Sequence, residues 1–355
     1  MPKPQLLSVE ESAALGAKLS QVDVVANHPM PFSAGIADEL RKMHPSCHFI
    51  DCSTLSSSIN AAMGASLGKR TFVPVSIPKS VEDIFTLSYM RLPVVFTNVS
   101  RPLGTFSIRH DHSDVAALLD SGCLVFMPES NQELIETIIQ AYKVSEQVLL
   151  PSIVNIDIAH YREHVNPVLD IFVRRFLGRY KPPYSLDKKP RYVAVPDDNY
   201  ADLKKQQHKA VKDSAEIIDK TSGMWFKKFR RSLPLVETYK TDDADFVLVM
   251  SGFHSTTAKA AVDKLRGAGK KVGLLRLRVL RPWPSALIES ALKNAKRTAV
   301  FDQAASLGRF GMLYRELNDK GRCTNIISLG RYLSEGDFVA IFERLGKGRD
   351  EIVWA

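Results

Sequence analysis

The chain has 355 residues, of which 45% are hydrophobic and 25% are charged, with a formal net charge of +9. This composition excludes a disordered chain, a collagen-like repeat and a small disulfide scaffold, and it suits two globular domains. No apolar run reaches the roughly 18–20 residues that span a bilayer, and the N-terminal segment lacks an apolar leader. The cations lie in short runs without a zinc-finger or RNP motif, which favours an acidic partner over nucleic acid. We expect a cytoplasmic protein.

Helical and strand patterns alternate through the first part of the chain. Ser8, with Glu11 three residues later, predicts a capping box for a helix that runs to Leu19. Because strands that alternate with helices form parallel sheets, the pattern predicts a doubly wound α/β sheet. The predicted strands are 22–26, 49–51, 71–76, 92–98, 123–127 and 148–155, and the predicted helices are 36–43, 57–67 and 132–144.

The middle of the chain has a different character. Residues 166–200 are rich in proline and lack periodicity, which predicts a long excursion over the surface. A polar helix is predicted over 201–220 and continues towards Phe229, and we place the domains at 1–240 and 241–355. The second domain has predicted strands at 246–251, 272–278, 298–302 and 325–328, and predicted helices at 256–267, 284–295 and 313–320.

Three loops of the first domain follow predicted strands directly. Ligands of open parallel sheets bind at the carboxyl ends of the strands, so these loops are the candidate site. Arg101 is the second residue of the third loop, and its planar guanidinium suits a carboxylate. A surface or ion-paired arginine is the alternative interpretation. The three loops are 28–33, 52–58 and 100–114.

Metal and iron–sulfur sites find little support in the sequence. His110, Asp111, His112 and Asp114 lie close together, but their spacing matches no known ligand set. A polar turn that caps the next helix is the favoured interpretation of this segment. The four cysteines show no C-x-x-C spacing, which predicts free thiols and no cluster in this chain.

Ordered motifs along the chain point to a known family. They are R-L-P-V-V at 91–95, Arg101, D-H-S-D at 111–114, Y-K-P-P-Y at 180–184, K-K-V-G-L-L-R-L-R at 270–278, R-P-W-P at 281–284 and D-Q-A-A-S-L-G at 302–308. Together they resemble the alpha subunit of 2-oxoacid:ferredoxin oxidoreductases, the pyruvate:ferredoxin oxidoreductase group. The resemblance extends over nearly the whole chain.

The resemblance implies a thiamine-diphosphate pyrimidine-binding domain followed by a smaller transketolase C-terminal-like α/β domain. It implies a hetero-oligomer, with a dimer of heteromers as one arrangement. In it, a beta subunit holds the diphosphate, Mg²⁺ and a cluster, and gamma and delta subunits are ferredoxin-like. The implied reaction is oxidative decarboxylation of a 2-oxoacid, with electrons passed to iron–sulfur clusters and the acyl group to coenzyme A or water. Anaerobic metabolism is the implied setting, without nucleic acid or membrane partners.

The candidate site departs from the family pattern at two places. The family carries a glutamate on the cofactor's aminopyrimidine, and counting back from Gly64-Ala65-Ser66 places Leu55 there and Ser53 at the neighbouring acidic position. Leucine cannot exchange a proton, which puts activation by this chain in doubt. In the substrate loop, Pro31 replaces the family's threonine, and Met30, Phe32 and His28 surround it, while the carboxylate-binding Arg101 is retained.

Three hypotheses follow from these matches and departures. In the first, the chain belongs to an active enzyme in which Arg101 holds the substrate and Met30 and Phe32 line a pocket for a bulkier 2-oxoacid such as phenylglyoxylate. In the second, it is a structural or regulatory alpha-like subunit without catalytic activity. In the third, the substrate is a dianion such as oxalate, with Arg109 or His28 as the second cation.

Overall fold

The computed structural model describes residues 3–30, 33–76, 80–104, 109, 111–157, 162–183, 199–317, 323–345 and 353–354. Among these residues, none of the helices combines the length and the apolar character needed to cross a membrane. Up to residue 229 the elements are β1 (Gln5–Leu7), α1 (Val9–Leu19), β2 (Val24–Asn27), α2 (Ala34–Met43), β3 (His48–Asp51), α3 (Leu55–Ser66), β4 (Thr71–Val75), α4 (Val81–Tyr89), β5 (Val95–Val99), α5 (Ser113–Leu118), β6 (Leu124–Phe126), α6 (Asn131–Val148), β7 (Ser152–Ile156), β8 (Glu163–Val165), α7 (Asp170–Leu177) and α8 (Tyr200–Phe229).

The C-terminal part contributes a second set of elements. They are β9 (Val236–Tyr239), β10 (Phe246–Met250), α9 (His254–Gly267), β11 (Val272–Leu277), β12 (Val279–Arg281), α10 (Ser285–Leu292), β13 (Arg297–Asp302), α11 (Met312–Leu317), β14 (Cys323–Ile327), α12 (Glu335–Leu345) and β15 (Val353–Trp354). The strands form a two-stranded ribbon of β1 and β8, a six-stranded sheet and a seven-stranded sheet.

The seven-stranded sheet runs in the order β12-β6-β7-β5-β4-β2-β3. The six strands from β6 to β3 are parallel, and β12 pairs antiparallel with β6 at the edge. The chain goes from β2 to its neighbour β3 and then returns to the other side of β2 with β4. This reversal is a topological switch point, where the crevice between diverging loops receives ligands in α/β proteins.

Helices cover both faces of this sheet, as the alternation of side chains shows. Phe72 and Val95 lie in the hydrophobic cluster that contains α1, α2 and α6. Their neighbours Val73 and Phe96 lie in a separate cluster with α3 and α4. Because successive side chains of a strand point to opposite faces, the two clusters are the two sides of one sheet. The predicted doubly wound parallel sheet is confirmed.

The capping box predicted for the first helix is also confirmed. The N–H of Glu11 donates to Ser8 Oγ at 3.2 Å, and the N–H of Ser8 donates to Glu11 Oε2 at 2.7 Å. The two bonds satisfy donors that a helix start otherwise leaves without partners.

The segment 166–200 differs in part from the predicted surface excursion. Residues 170–177 form α7, and Val173 is fully buried. Phe172 and Phe176 pack against Trp225 of α8, with ring centroids 5.7 Å and 5.4 Å apart. Burial of these large rings stabilises the short helix, and its buried Val173, Phe176 and Leu177 recur at helical spacing within the segment predicted to lack periodicity. Residues 184–198 lie outside the described residues.

Two predicted boundaries are wrong because a helical pattern continues beyond them. The strand predicted at 148–155 starts at Ser152, since α6 extends to Val148, which packs one turn beyond Val144. A left-handed residue, Leu149 with φ of 54°, ends that helix. The strand predicted to be the last is followed by α12 and β15, and Phe338 and Phe342 of α12 are buried.

The six-stranded sheet has the order β15-β14-β13-β10-β11-β9, with β9 antiparallel to β11 and the other strands parallel. The two sheets exchange strands at their border. Under the proposed domain division at residue 240, β9 belongs to the first domain and lies in the second sheet, whereas β12 belongs to the second domain and pairs with β6. The exchange couples the two sheets directly through backbone hydrogen bonds.

Candidate functional site

The site lies where parallel strands of the seven-stranded sheet end. His28 follows β2, Ser76 follows β4 and Arg101 follows β5 by two residues. Because β2 and β4 flank the switch point, His28 and Ser76 border its crevice. Arg101 lies after the neighbouring strand β5 and contacts Ser76. As the strand pattern predicted, the candidate loops follow parallel strands at their carboxyl ends.

Arg101 is held at both its side chain and its backbone. Its Nε donates to Ser76 Oγ at 2.8 Å, and Ser76 Oγ in turn donates to the carbonyl of Val99 at 3.0 Å. Its backbone N–H donates to Asp114 Oδ2 at 3.2 Å. In the described part of the chain, the terminal guanidinium nitrogens make no hydrogen bond, and the residue is half-buried. One edge of the fork is anchored and the other is available to a carboxylate.

Asp114 is a buried carboxylate that collects four contacts. Ser100 Oγ and the N–H of Val115 lie 2.6 Å and 2.7 Å from Oδ1. Asn98 Nδ2 donates to Oδ2 at 2.8 Å, beside the N–H of Arg101. Burial raises the pKa of this carboxyl to about 6, although Ser100 and Asn98 act in the opposite direction.

His112 joins the two sheets. Its ring Nε2 forms a hydrogen bond with Asp157 Oδ1. Its backbone N–H donates to the carbonyl of Gln303 at 2.7 Å. Burial would lower the pKa of His112, but Asp157 outweighs it and the pKa is raised. The N–H of Phe253 donates to Asp157 Oδ2 at 2.9 Å. Gly252 permits this approach, because a Cβ there would lie 2.6 Å from the same oxygen.

The D-H-S-D segment therefore serves as more than a polar turn. The N–H of Ser113 donates to Asp111 Oδ1 at 2.6 Å, which is the local contact that a turn predicts. Asp114 and His112 instead reach Arg101 and Asp157 across the fold. In the part of the chain that the structure describes, no group of three or more histidine, cysteine, aspartate or glutamate side chains is arranged to hold a metal ion. His110 lies outside the described residues.

Leu55 is the first residue of α3 and is only 7% exposed. Thr54 caps this helix, with the N–H of Ser57 donating to its Oγ1 at 3.1 Å. The Leu55 side chain belongs to the hydrophobic cluster on the α3 and α4 face of the sheet, together with Ile59. Ser53, two residues earlier, is exposed. The sequence position expected for a glutamate is thus part of an apolar core.

The nearest carboxylate in the sequence, Asp51, is already engaged. Asn27 Nδ2 donates to Asp51 Oδ1 at 2.9 Å, and Arg41 Nη2 lies 3.0 Å from Oδ2. These two partners, Asn27 first, lower the pKa of Asp51. The carboxyl is therefore ionised near neutral pH and is held on the outside of the sheet edge.

The substrate loop predicted at 28–33 is described at its two ends. His28 Nδ1 lies 3.1 Å from the carbonyl of Cys52, which ties the loops after β2 and β3 together. Met30 is half-buried, and its carbonyl accepts the N–H groups of Ser33 and Ala34 at the start of α2. The predicted positions Pro31 and Phe32 lie outside the described residues.

Arg109, a candidate second cation, is exposed and packs over the second sheet's loops. A Cβ placed on Gly330 would lie 3.1 Å from Arg109 Cβ, so the arginine side chain covers this glycine. This contact places the Arg109 side-chain stem against the C-terminal part of the chain.

Comparison with known proteins identifies the family. Residues 15–222 match the family described as pyruvate flavodoxin/ferredoxin oxidoreductase, thiamine diP-binding, and residues 244–334 match pyruvate:ferredoxin oxidoreductase core domain II. The chain belongs to the pyruvate:ferredoxin oxidoreductase family. The resemblance drawn from the ordered motifs is confirmed, and the chain is an oxidoreductase subunit of the 2-oxoacid:ferredoxin oxidoreductase alpha type.

Family members from archaea match along the whole chain. The pyruvate synthase subunit PorA of Methanocaldococcus jannaschii is 34% identical over 99% of this chain and 97% of its own length. The ketoisovalerate oxidoreductase subunit VorA of Pyrococcus horikoshii is 30% identical, over 99% of this chain and 98% of its own length.

Solved structures share the fold of this family member. The 2-oxoglutarate:ferredoxin oxidoreductase of Magnetococcus marinus has a TM-score of 0.77 and 15% identity, and the match covers 97% of this chain and 65% of that chain. A split-gene transketolase has a TM-score of 0.58 and 13% identity, with 96% and 98% covered. These likenesses confirm the α/β fold class.

The residues at the expected aminopyrimidine position do not fit the role that the family resemblance gives them. Leu55 is apolar and buried, Ser53 carries no carboxylate, and Asp51 is paired with Arg41. None of the described residues at this position therefore carries a side chain able to exchange a proton with the aminopyrimidine of thiamine diphosphate.

Proposed function

We propose that this chain is the alpha subunit of a 2-oxoacid:acceptor oxidoreductase complex and that Arg101 binds the carboxylate of the substrate. The anchored guanidinium supports the proposal most directly. Ser76 holds Nε at 2.8 Å, while the terminal nitrogens of the fork make no hydrogen bond to the described residues and keep their donors for a ligand. A planar pair of N–H donors at a strand end matches a carboxylate in charge and in geometry.

The wider complex forms part of the proposal. A beta subunit would hold the diphosphate of thiamine diphosphate, with Mg²⁺ and a cluster, and gamma and delta subunits of ferredoxin type would carry further iron–sulfur clusters. The bound cofactor would supply the decarboxylation chemistry. Because no suitable carboxylate stands at Leu55, we assign no proton transfer to this chain and limit its role to substrate binding and assembly in a cytoplasmic complex.

A bulky or aromatic 2-oxoacid such as phenylglyoxylate is the proposed substrate class. Half-buried Met30 gives the loop after β2 an apolar character. Oxalate is the competing substrate, and it needs a second cation beside Arg101. His28 Nδ1 contacts the Cys52 carbonyl, and the Arg109 side-chain stem packs against Gly330 in the C-terminal part of the chain. Turnover of phenylglyoxylate, pyruvate, ketoisovalerate and oxalate by the purified complex would rank these substrates.

Replacing Arg101 by alanine is expected to raise the KM for the preferred 2-oxoacid about 10–100-fold with a smaller change in kcat, because a charged hydrogen-bonding pair is lost on binding. Arg101→Lys keeps the charge and loses the fork, so an intermediate KM is expected. Steady-state kinetics of the purified complex would measure both effects.

The matched control is Arg174→Ala, which removes an exposed arginine paired with Asp170 at 2.8 Å on the surface of α7. Its KM and kcat are expected to equal those of the wild type. An unchanged KM in Arg101→Ala would contradict the proposed role of Arg101 in substrate binding.

A second candidate function is a non-catalytic alpha-like subunit, which the burial of Leu55 favours. In that case, the native complex would contain another alpha-like chain with a glutamate at the corresponding position. Mass spectrometry of the purified native complex would detect such a chain. Unchanged turnover of the complex after Arg101→Ala, together with that second chain, would support this alternative.

A further inference from the structure

We propose that Asp114 is a positioning residue for Arg101, which orients the guanidinium towards the 2-oxoacid by fixing the backbone from which it extends. The inference rests on the proposed binding role of Arg101. Asp114 lies on the first turn of α5, thirteen positions after Arg101 in the sequence, and it is 1% exposed. Its carboxylate contacts no position assigned to substrate, so it acts through Arg101 alone.

The contacts of Asp114 converge on the end of β5. Asn98 Nδ2, Ser100 Oγ and the N–H of Arg101 lie 2.8 Å, 2.6 Å and 3.2 Å from its oxygens. These groups belong to residues 98–101, which are the end of β5 and the two residues after it. Ser76, directly after β4, accepts the hydrogen bond from Arg101 Nε. Two anchors on different elements define the direction of the guanidinium, one for its backbone and one for its side chain.

The charge of Asp114 matches this role. Three of its four partners are N–H donors, from Asn98, Arg101 and Val115, and a donor requires an acceptor oxygen. An ionised carboxylate offers acceptors on both oxygens, whereas a protonated carboxyl or an amide turns one of these positions into a donor. The hydrogen bond from the Arg101 N–H to Asp114 therefore weakens when the carboxylate loses its negative charge.

The surroundings of Asp114 set the pH at which this happens. Burial raises its pKa to about 6, and Ser100, Asn98 and His112 oppose the shift. His112 itself lies against Asp157 and Asp111, and it also acts on Asp302 at the end of β13. As the pH falls through about 6, Asp114 takes up a proton, so binding of the 2-oxoacid is expected to weaken on the acid side.

The test uses Asp114→Asn in the purified complex, with whichever of pyruvate, ketoisovalerate and phenylglyoxylate it turns over fastest. We expect a KM about tenfold higher, with the acid rise of KM near pH 6 abolished. In an Arg101→Ala background, Asp114→Asn is expected to change KM less than twofold, because residues that act through one another are not additive. Asp111→Asn is the matched control, since Asp111 lies on the same loop and its carboxylate, among the described residues, accepts the Ser113 N–H and makes no hydrogen bond to Arg101.

The outcomes separate this inference from the proposed function. If Arg101→Ala raises KM while Asp114→Asn does not, the positioning role of Asp114 is wrong and the binding role of Arg101 stands. If neither variant changes KM, the proposed function fails. Should Asp114→Asn not fold, the wild-type pH profile decides, because the acid rise of KM must disappear in Arg101→Ala; its persistence there would overturn the inference.

Discussion

Replacing Glu133 by alanine is expected to destabilise the chain by about 3–5 kcal/mol, because it leaves buried Arg278 without an ion-pair partner among the described residues and removes one of the carboxylates of buried Arg276, which keeps Glu237. Glu133 lies on α6, and it accepts from Arg276 Nη1 and Nη2 at 2.8 Å and 3.0 Å and from Arg278 Nε at 2.6 Å. The arginine side chains are 4% and 0% exposed. The cluster connects a helix of the first sheet to strand β11 and the segment that follows it, so its loss also loosens the border between the two sheets.

The same cluster predicts the response to acid. Burial alone would raise the pKa of Glu133, but Arg276 and Arg278 outweigh it and lower the pKa below its ordinary value of 4.5. A group whose folded pKa is depressed stabilises the fold above its ordinary value and loses that contribution as the pH falls through the folded pKa. The free energy of unfolding is therefore expected to fall below about pH 4.5, with a smaller acid dependence in Glu133→Ala.

Urea denaturation followed by tryptophan fluorescence would measure these effects on the full-length chain. The matched control is Glu216→Ala, which removes a 73%-exposed glutamate paired with Lys220 on α8. Its effect is expected to stay within about 0.5 kcal/mol, as exposed helical ion pairs contribute little. A loss of less than 1 kcal/mol in Glu133→Ala would contradict the assigned role of the cluster.

The sequence was informative where local pattern decides the structure. Buried parallel strands are apolar runs, so most strands and the edge that carries Arg101 were predicted. The helical continuation to Val148 was missed, because a buried helix segment and a buried strand share the same apolar composition. Elements such as α7 depend on distant partners, and Trp225 lies far from Phe172 along the chain.

Within the candidate site, residue type singled out Arg101 but gave no sign of the residues that contact it. Ser76 stood at the end of a predicted strand, which is the signal that it borders the crevice. The partner of Asp114 depends on the tertiary fold, because the D-H-S-D sequence alone suits a turn, a metal site or a buried network. Only the three-dimensional contacts to Arg101 and Asn98 distinguish these possibilities.

Replacing Leu55 by glutamate is expected to destabilise the chain by about 3 kcal/mol or more, since it buries a carboxylate among apolar side chains. Leu55 is 7% exposed and packs with Ile59 and the strands beside it. Leu55→Ala is expected to cost about 2–4 kcal/mol by leaving a cavity. Ser53→Glu is the matched control, because Ser53 is exposed two residues earlier, and a change within about 0.5 kcal/mol is expected.

The comparison of these three variants tests what Leu55 faces. A core position predicts that Leu55→Glu is less stable than Leu55→Ala, because the charge adds a desolvation cost to the lost packing. A position facing a bound aminopyrimidine predicts the reverse order in the purified complex, since the glutamate would then have a polar partner. Urea denaturation of the chain and thermal unfolding of the complex would measure the order. Equal stability of Leu55→Glu and wild type would overturn the assignment of Leu55 to the core, and with it the main support for a non-catalytic subunit.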